Sequence, residues 1–261
     1  MLIDRLTPKI RGLILDMDGV LWKDNVALVD LPSFFQRASD LNLIITLATN
    51  NATKSVRQYL EKIKGFGQVL QAWQIINSPM AVAAYLSKKY PSGGPIYIVG
   101  EDGITDAMES AGFYPAEKEV IAVVAGLDRK FTYEKLKKAT MAIKHGALFI
   151  GTNPDPTFPA PEGNIPGAGS ILAAIQTATG VDPIVMGKPE PFMFELAMQR
   201  MGLSPQESLV VGDRLDTDIL GGQKAGCRTA LVLSGISTHA EAQAWQPAPD
   251  IIAPDLAHIL A

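Results

Sequence analysis

The chain has 261 residues, room for one large domain or two modest ones. With 47% apolar and 19% charged residues, and with Gly (23) and Pro (18) near average usage, wholesale disorder and a collagen-like repeat are excluded. A formal charge of -4 without any long run of one sign argues against broad binding to a nucleic-acid backbone, so no nucleic-acid partner is expected. A single cysteine, Cys227, rules out an internal disulfide and a CxxC metal site, and reads as a small buried apolar residue. Asp4, Arg5 and Pro8 break any signal-peptide pattern, and no apolar run approaches the roughly 18 residues needed to cross a bilayer. A cytoplasmic location without membrane attachment is the expectation.

Short runs of branched apolar residues alternate with amphipathic segments, the pattern of α/β units around a buried parallel sheet. Residues 12–15 read as the first strand and run into Asp16-Met17-Asp18-Gly19. Pro32 opens a helix with Phe34, Phe35, Ala38 and Leu41 on one face. A second strand at 43–48 ends on Thr49-Asn50-Asn51. The helix after it carries Val56, Tyr59, Leu60 and Ile63, with Gly65 at its C-cap. Ser78-Pro79 reads as a cap and first helical residue, and opens a second series with strands at 96–99, 120–125 and 147–150. Thr132 caps a helix between the last two. A Pro- and Gly-rich loop is expected over 152–169. The first style then resumes: a helix over 191–201 closed by Gly202, a capping box at Ser204 to Glu207, a strand at 209–211 ending in Gly212-Asp213, and strands at 227–233 and 251–252. The organisation expected is a Rossmann-like core built from 1–78 and 184–261, with an α/β cap inserted at 79–183.

Three strand ends carry polar clusters, Asp16-x-Asp18-Gly19, Thr49-Asn50-Asn51 and Gly212-Asp213 with Asp218. Ligands of open α/β sheets bind outside the carboxyl ends of the strands, so these clusters can converge on one crevice, with Lys188 of Gly187-Lys188-Pro189 adding a cation. Asp16, Asp18 and Asp213 packed together would resist ionisation, and a divalent cation resolves the conflict. Magnesium suits an all-oxygen site completed by phosphate oxygens. Residues two apart on a strand end point the same way, so one of Asp16 and Asp18 can attack a phosphoryl group while the other moves a proton. Gly19 lets the backbone turn closely around the phosphate. Lys188, Thr49 and the backbone N–H groups after Asp16 and Thr49 can hold the oxygens that do not react.

The four ordered motifs, Asp16-Met17-Asp18-Gly19-Val20-Leu21, Thr49-Asn50-Asn51, Gly187-Lys188-Pro189 and Gly212-Asp213-Arg214-Leu215-Asp216-Thr217-Asp218, resemble those of the haloacid dehalogenase (HAD) superfamily of phosphatases. Within it the chain is most similar to subclass IIA, the NagD or para-nitrophenylphosphatase type, whose C2a-type α/β cap is inserted between the second and third motifs. The likeness extends into the cap at Thr152-Asn153-Pro154-Asp155 and Pro166-Gly167-Ala168-Gly169. The resemblance implies that Asp16 is the nucleophile forming an aspartyl-phosphate and that Asp18 protonates the leaving oxygen and then activates water. Thr49 and Lys188 would orient phosphate and nucleophile. Mg2+ would be held by Asp16, the Asp18 carbonyl and Asp213, with Asp218 reaching it through water. Gly19, Asn50, Asn51, Asn153 and Asp155 are the expected substrate contacts. Asp216 fits a helix N-terminal carboxylate equally well. The expected partner is a small phosphorylated metabolite, whether sugar phosphate, phosphoglycolate, glycerol phosphate, nucleotide or pyridoxal phosphate, and the family likeness is compatible with a homodimer through the cap.

Other readings fare worse. Val20 and Leu21 stand where an EF-hand needs an oxygen ligand and a glycine, and Lys188 is followed by Pro189, not by the Ser or Thr of a Walker A loop. His145, His239 and His258 are scattered, and Met193, Met198 and Met201 read as helix packing. A phosphomutase of the same superfamily is the nearest enzymatic alternative. A receiver domain shares the aspartate, threonine and lysine but is a small single domain with its acceptor in mid-chain, and a silent phosphometabolite-binding protein would have no use for both Asp16 and Asp18.

Overall fold

A computed structural model describes residues 1–160 and 163–261. In chain order the elements are β1 (Gly12–Leu15), β2 (Trp22–Lys23), β3 (Val26–Ala27), α1 (Leu31–Asp40), β4 (Ile44–Thr49), α2 (Val56–Gly65) and β5 (Ile75–Asn77). There follow α3 (Ser78–Lys89), β6 (Gly94–Val99), α4 (Asp102–Ser110), β7 (Phe113–Pro115), β8 (Ala122–Ala125), α5 (Tyr133–Lys144), β9 (Leu148–Gly151), β10 (Thr157–Ala160), β11 (Gly163–Pro166), α6 (Ala168–Thr179) and β12 (Ile184–Val185). The chain continues through α7 (Phe192–Met201), β13 (Ser208–Gly212), α8 (Leu220–Lys224), β14 (Arg228–Val232), α9 (His239–Ala244) and β15 (Ile251–Ala253). Among the described residues no helix is long and apolar enough to cross a membrane.

Two compact units emerge. The first comprises Met1–Thr49, Arg57–Ile76 and Lys188–Ala261, and the second Asn50–Val56 and Asn77–Gly187. Against the expected limits of 79 and 183, the second unit therefore starts at Asn77, ends at Gly187 and also takes in the segment after Thr49.

The first unit is organised on a six-stranded sheet in the order β15-β14-β13-β1-β4-β5. Every residue of β1 is buried, as a strand covered on both faces must be, and β1 pairs in parallel with β13 on one side and β4 on the other. The register sets Leu15 opposite both Val211 and Leu47, so the three strands finish at one edge. Helix α1 starts where the Asp30 carboxylate accepts the Ser33 N–H, and buries Leu31, Phe34, Phe35 and Ala38. Helix α7 buries the expected Met193, Met198 and Met201, and ends at Gly202, whose φ of 66° lies in the left-handed region open to glycine. Cys227 is buried, and burial pushes its thiol up to about 12.

The second unit has its own parallel sheet, β12-β9-β8-β6-β7, whose core joins Val99, Val123 and Phe149 to Ile143 of α5 and Leu172 and Ile175 of α6. Thr132 caps α5 as expected, accepting from Lys135 N–H. Three local expectations are corrected. The stretch 152–169 is not a plain loop, because β10 and β11 pair antiparallel within it; Pro166, opposite Thr157, stands at the end of this two-stranded ribbon, where a residue without an N–H is tolerated. The cap of α3 is Asn77, whose Oδ1 accepts from Met80 N–H, while Ser78 donates its hydroxyl to the Asn50 carbonyl. Gly65 lies inside α2, and the left-handed turn falls at Gly67 (φ 84°).

The central position of β1 makes Leu13 a sensitive probe. Leu13 is fully buried, and Leu13→Ala should destabilise the protein by about 2–5 kcal/mol, through lost burial and a residual cavity. Chemical denaturation of both proteins checks this; a loss below about 1 kcal/mol would contradict the packing described.

Candidate active site

Parallel register dictates where the polar side chains emerge. Asp16 follows β1, Thr49 closes β4 and Asp213 follows β13, all at the carboxyl edge of the sheet, and Asp16 N–H continues the ladder to the Val211 carbonyl at 2.9 Å. Lys188 reaches the same edge. Its Nζ donates to Asp16 Oδ1 at 2.5 Å, to Asp218 Oδ1 at 2.6 Å and to the Ala48 carbonyl at 3.1 Å. Lys188, Asp213 and Asp218 are only 3%, 2% and 1% exposed. Carboxylate oxygens of Asp16, Asp213 and Asp218 lie within 4.8 Å of one another.

A π-helical turn, Leu215–Ile219, swings Asp218 inward, where its second oxygen accepts from the Arg214 N–H. Asp216 stays at the surface against the Arg214 guanidinium. Asp213 is held from a segment that the sequence does not advertise, the residues after β14. Ile236 N–H donates to Asp213 Oδ2 at 2.8 Å, Ser237 N–H donates to the Asp213 carbonyl, and Ser237 Oγ accepts from Leu215 N–H. Two glycines make room. A Cβ at Gly19 would lie 2.5 Å from Asp213 Oδ2, and one at Gly235 would overlap that oxygen outright. Gly19 also has a φ of 87°, and its carbonyl accepts from Ser234 Oγ.

Electrostatics follow from this packing. Burial, countered by Lys188 and reinforced by Asp218 and Asp213, holds the Asp16 carboxyl well above the usual range. Burial and the neighbouring Asp218 push Asp213 up to about 7. Lys188 is desolvated too, yet Asp16 and Asp218 keep its ammonium above its ordinary value. Asp213 Oδ1 is buried with no hydrogen-bond partner among the described residues. Three carboxylates facing one ammonium leave two negative charges unbalanced when all are ionised, and the donors are hard oxygens. The residues present thus fit a divalent hard cation.

Asp18 has different surroundings. It is exposed, and its Oδ1 accepts from Trp22 Nε1 at 2.9 Å. Tyr59, buried on α2, shares a side-chain hydrogen bond with Thr49; its phenol is raised by burial first and by Asp18 next. Asn50, Asn51, Asn153 and Asp155 belong to the second unit. There Asp155 Oδ2 accepts from Asn50 Nδ2 at 2.9 Å and from Asn153 Nδ2 at 2.7 Å, while Asn153 Oδ1 accepts from Thr152 Oγ1. Buried, with both ends of its amide engaged, Asn153 is built into its loop. Asn51 Oδ1 accepts from the Thr53 N–H and hydroxyl, shaping a turn.

Residues 13–114 match the family model for haloacid dehalogenase-like hydrolases, and 185–259 the HAD-hydrolase-like model. An acid sugar phosphatase of Staphylococcus saprophyticus is 32% identical over 251 residues, 96% of each chain. This chain belongs to the haloacid dehalogenase superfamily. Among solved structures, NagD from Escherichia coli superposes with a TM-score of 0.88 at 32% identity, over 96% of this chain and 98% of that one, which sets this HAD protein in subclass IIA. The glycerol phosphate phosphatase of Mycobacterium tuberculosis, solved in complex with magnesium, gives a TM-score of 0.88 at 32% identity, over 96% and 76% of the two chains. This HAD member is a phosphoric monoester hydrolase.

The segment after β14 is the part of the site that motif reading misses, and Gly235 tests it. Gly235→Ala should drive Asp213 out of place and lower turnover of para-nitrophenyl phosphate on the order of 10²-fold, with the circular dichroism spectrum unchanged. Retention of near-normal turnover would show that the close approach of Gly235 to Asp213 is dispensable.

Proposed function

We propose that the protein is a magnesium-dependent phosphatase of small phosphorylated metabolites that works through an aspartyl-phosphate on Asp16. The observation that supports this best is the cluster of Asp16, Asp213, Asp218 and Lys188, in which Asp213 Oδ1 is buried without a partner among the described residues. Asp16, Asp213 and the Asp18 carbonyl would hold the cation, with Asp218 beside them. Bound there, magnesium supplies the charge that lets the carboxylates ionise together and offsets charge on the phosphoryl group.

The remaining chemistry falls to side chains. Lys188 grips Asp16 Oδ1 and fixes the carboxylate against rotation. An Asp16 oxygen attacks phosphorus; the bond from phosphorus to the leaving oxygen breaks, and Asp18 delivers its proton to that oxygen. Asp18, now ionised, takes a proton from the water that attacks the phosphoenzyme, and phosphate leaves as the Asp16 carboxylate is restored. Thr49, steadied by Tyr59, is assigned to the oxygens that do not react. The acid sugar and glycerol phosphate phosphatases to which the chain is similar support a small organic phosphate as substrate.

Asp16→Asn should abolish turnover and phosphoenzyme labelling, because an amide cannot serve as the attacking oxygen nucleophile. Substantial residual kcat, once deamidation is ruled out, would overturn the assignment.

Magnesium binding should also register in stability. Between the ordinary carboxyl value of 3.8 and about 7, the metal-free fold keeps a proton on Asp213 that the unfolded chain has released, so stability from this group falls as pH rises through that window. A cation competing with that proton binds better above the window, so magnesium should raise Tm more at pH 8 than at pH 5. Equal increments at the two pH values, measured against EDTA-treated protein, would contradict the assigned ligand set.

A further inference from the structure

Trp22 lies in a two-residue strand next to the motif that carries the two aspartates, yet it is fully buried. Its backbone is tied to that motif: Trp22 N–H donates to the Met17 carbonyl at 3.3 Å, and Gly19 N–H donates to the Trp22 carbonyl at 2.7 Å. Its indole is held as firmly. The ring stacks on Phe66, with centroids 5.6 Å apart and an interplanar angle of 19°, and Lys62 Nζ sits 4.4 Å from the ring centroid. From this immobilised ring, Nε1 donates to Asp18 Oδ1 at 2.9 Å. Among the described residues, no other side chain donates to the Asp18 carboxyl. An exposed aspartate would otherwise sample several rotamers, each with its carboxyl aimed differently.

We propose that Trp22 is the positioning residue for proton transfer by Asp18, an inference that rests on the acid–base role given to Asp18 above. The indole N–H occupies a lone pair of Oδ1 and aims the carboxyl, so that Oδ2 is the oxygen that carries the proton. In the first step that proton passes from Oδ2 to the leaving oxygen, which departs with the electron pair of its bond to phosphorus. In the second, Oδ2 accepts a proton from the attacking water. The cation beside the ring draws density from the indole and strengthens its N–H as a donor.

The decisive replacement keeps the shape and removes the donor. Substituting 3-benzothienylalanine at position 22 exchanges the indole N–H for sulfur with little change in volume, and Trp22→Phe serves as a second variant. The readout is kcat/KM for phenyl phosphate and para-nitrophenyl phosphate, which differ mainly in how much the leaving oxygen needs a proton; kcat/KM reports phosphoenzyme formation without the later hydrolysis. With the donor removed, kcat/KM for phenyl phosphate should fall about tenfold, the scale of one lost hydrogen bond, while the value for para-nitrophenyl phosphate should change less than about twofold. Asp18→Asn, measured in parallel, should show the same selectivity more strongly. If Asp18→Asn is selective and the isosteric replacement leaves both substrates unaffected or lowers them equally, the role of Trp22 is overturned and that of Asp18 stands. If Asp18→Asn shows no selectivity, the acid assignment falls and the inference falls with it.

Discussion

Everything at the carboxyl edge of the main sheet answers to one difficulty, the burial of acidic groups beside one another. Asp16, Asp213 and Asp218 are within reach of a single ion, and among the described residues only Lys188 is paired with them as a counter-charge. Moving a carboxylate out of water is costly unless it is paired and hydrogen-bonded, and crowding like charges adds to the cost. The surroundings read as a series of partial remedies. Lys188 bridges two of the acids, backbone N–H groups of Arg214 and Ile236 take up oxygens of Asp218 and Asp213, and glycines remove side-chain bulk where Asp213 must fit. What stays unresolved is a desolvated Asp213 oxygen that no donor among the described residues meets.

Asp16 and Asp18 illustrate how a spacing of two residues places one residue type in two different surroundings. Asp16 continues directly from the fully buried β1 and meets Lys188, whereas Asp18 is exposed and accepts from an indole. Environment, not residue type, separates the two, and the division of labour proposed for them rests on that difference. The π-helical turn at Leu215–Ile219 does similar sorting between Asp216, paired at the surface, and Asp218, turned inward.

Five strands of the main sheet were legible because buried parallel strands are written as short apolar runs, whereas β5, three residues long, was not; Asp16, Thr49 and Asp213 were legible because they interrupt such runs at the same end. Lys188 carries its signal in the Gly-Lys-Pro around it. Trp22 and Tyr59 carry none, since each looks like one more core residue until the fold brings its polar tip to Asp18 or Thr49. Residues 234–237 act mostly through backbone N–H groups and an absent side chain, properties that no titratable residue flags. The strands β2 and β3 are two residues each, too short for periodicity to register. The cap of α3 moved by one position because Asn77 and Ser78 are both competent, and only the hydroxyl's bond to Asn50 shows which is free to cap.

The pairing of β1 with both β4 and β13 has a consequence for synthesis on the ribosome. Its first neighbour, β4, is made soon after it, but its second begins at Ser208, so one flank of β1 stays open until most of the chain has been translated. Closing so long a loop adds only a little more entropy than closing a shorter one, yet the contact cannot form before the sequence exists. A nascent chain therefore carries Asp16 for most of its elongation without the acids and the lysine that surround it in the finished fold. An apolar strand with an unpaired edge during that interval is a natural client for a chaperone.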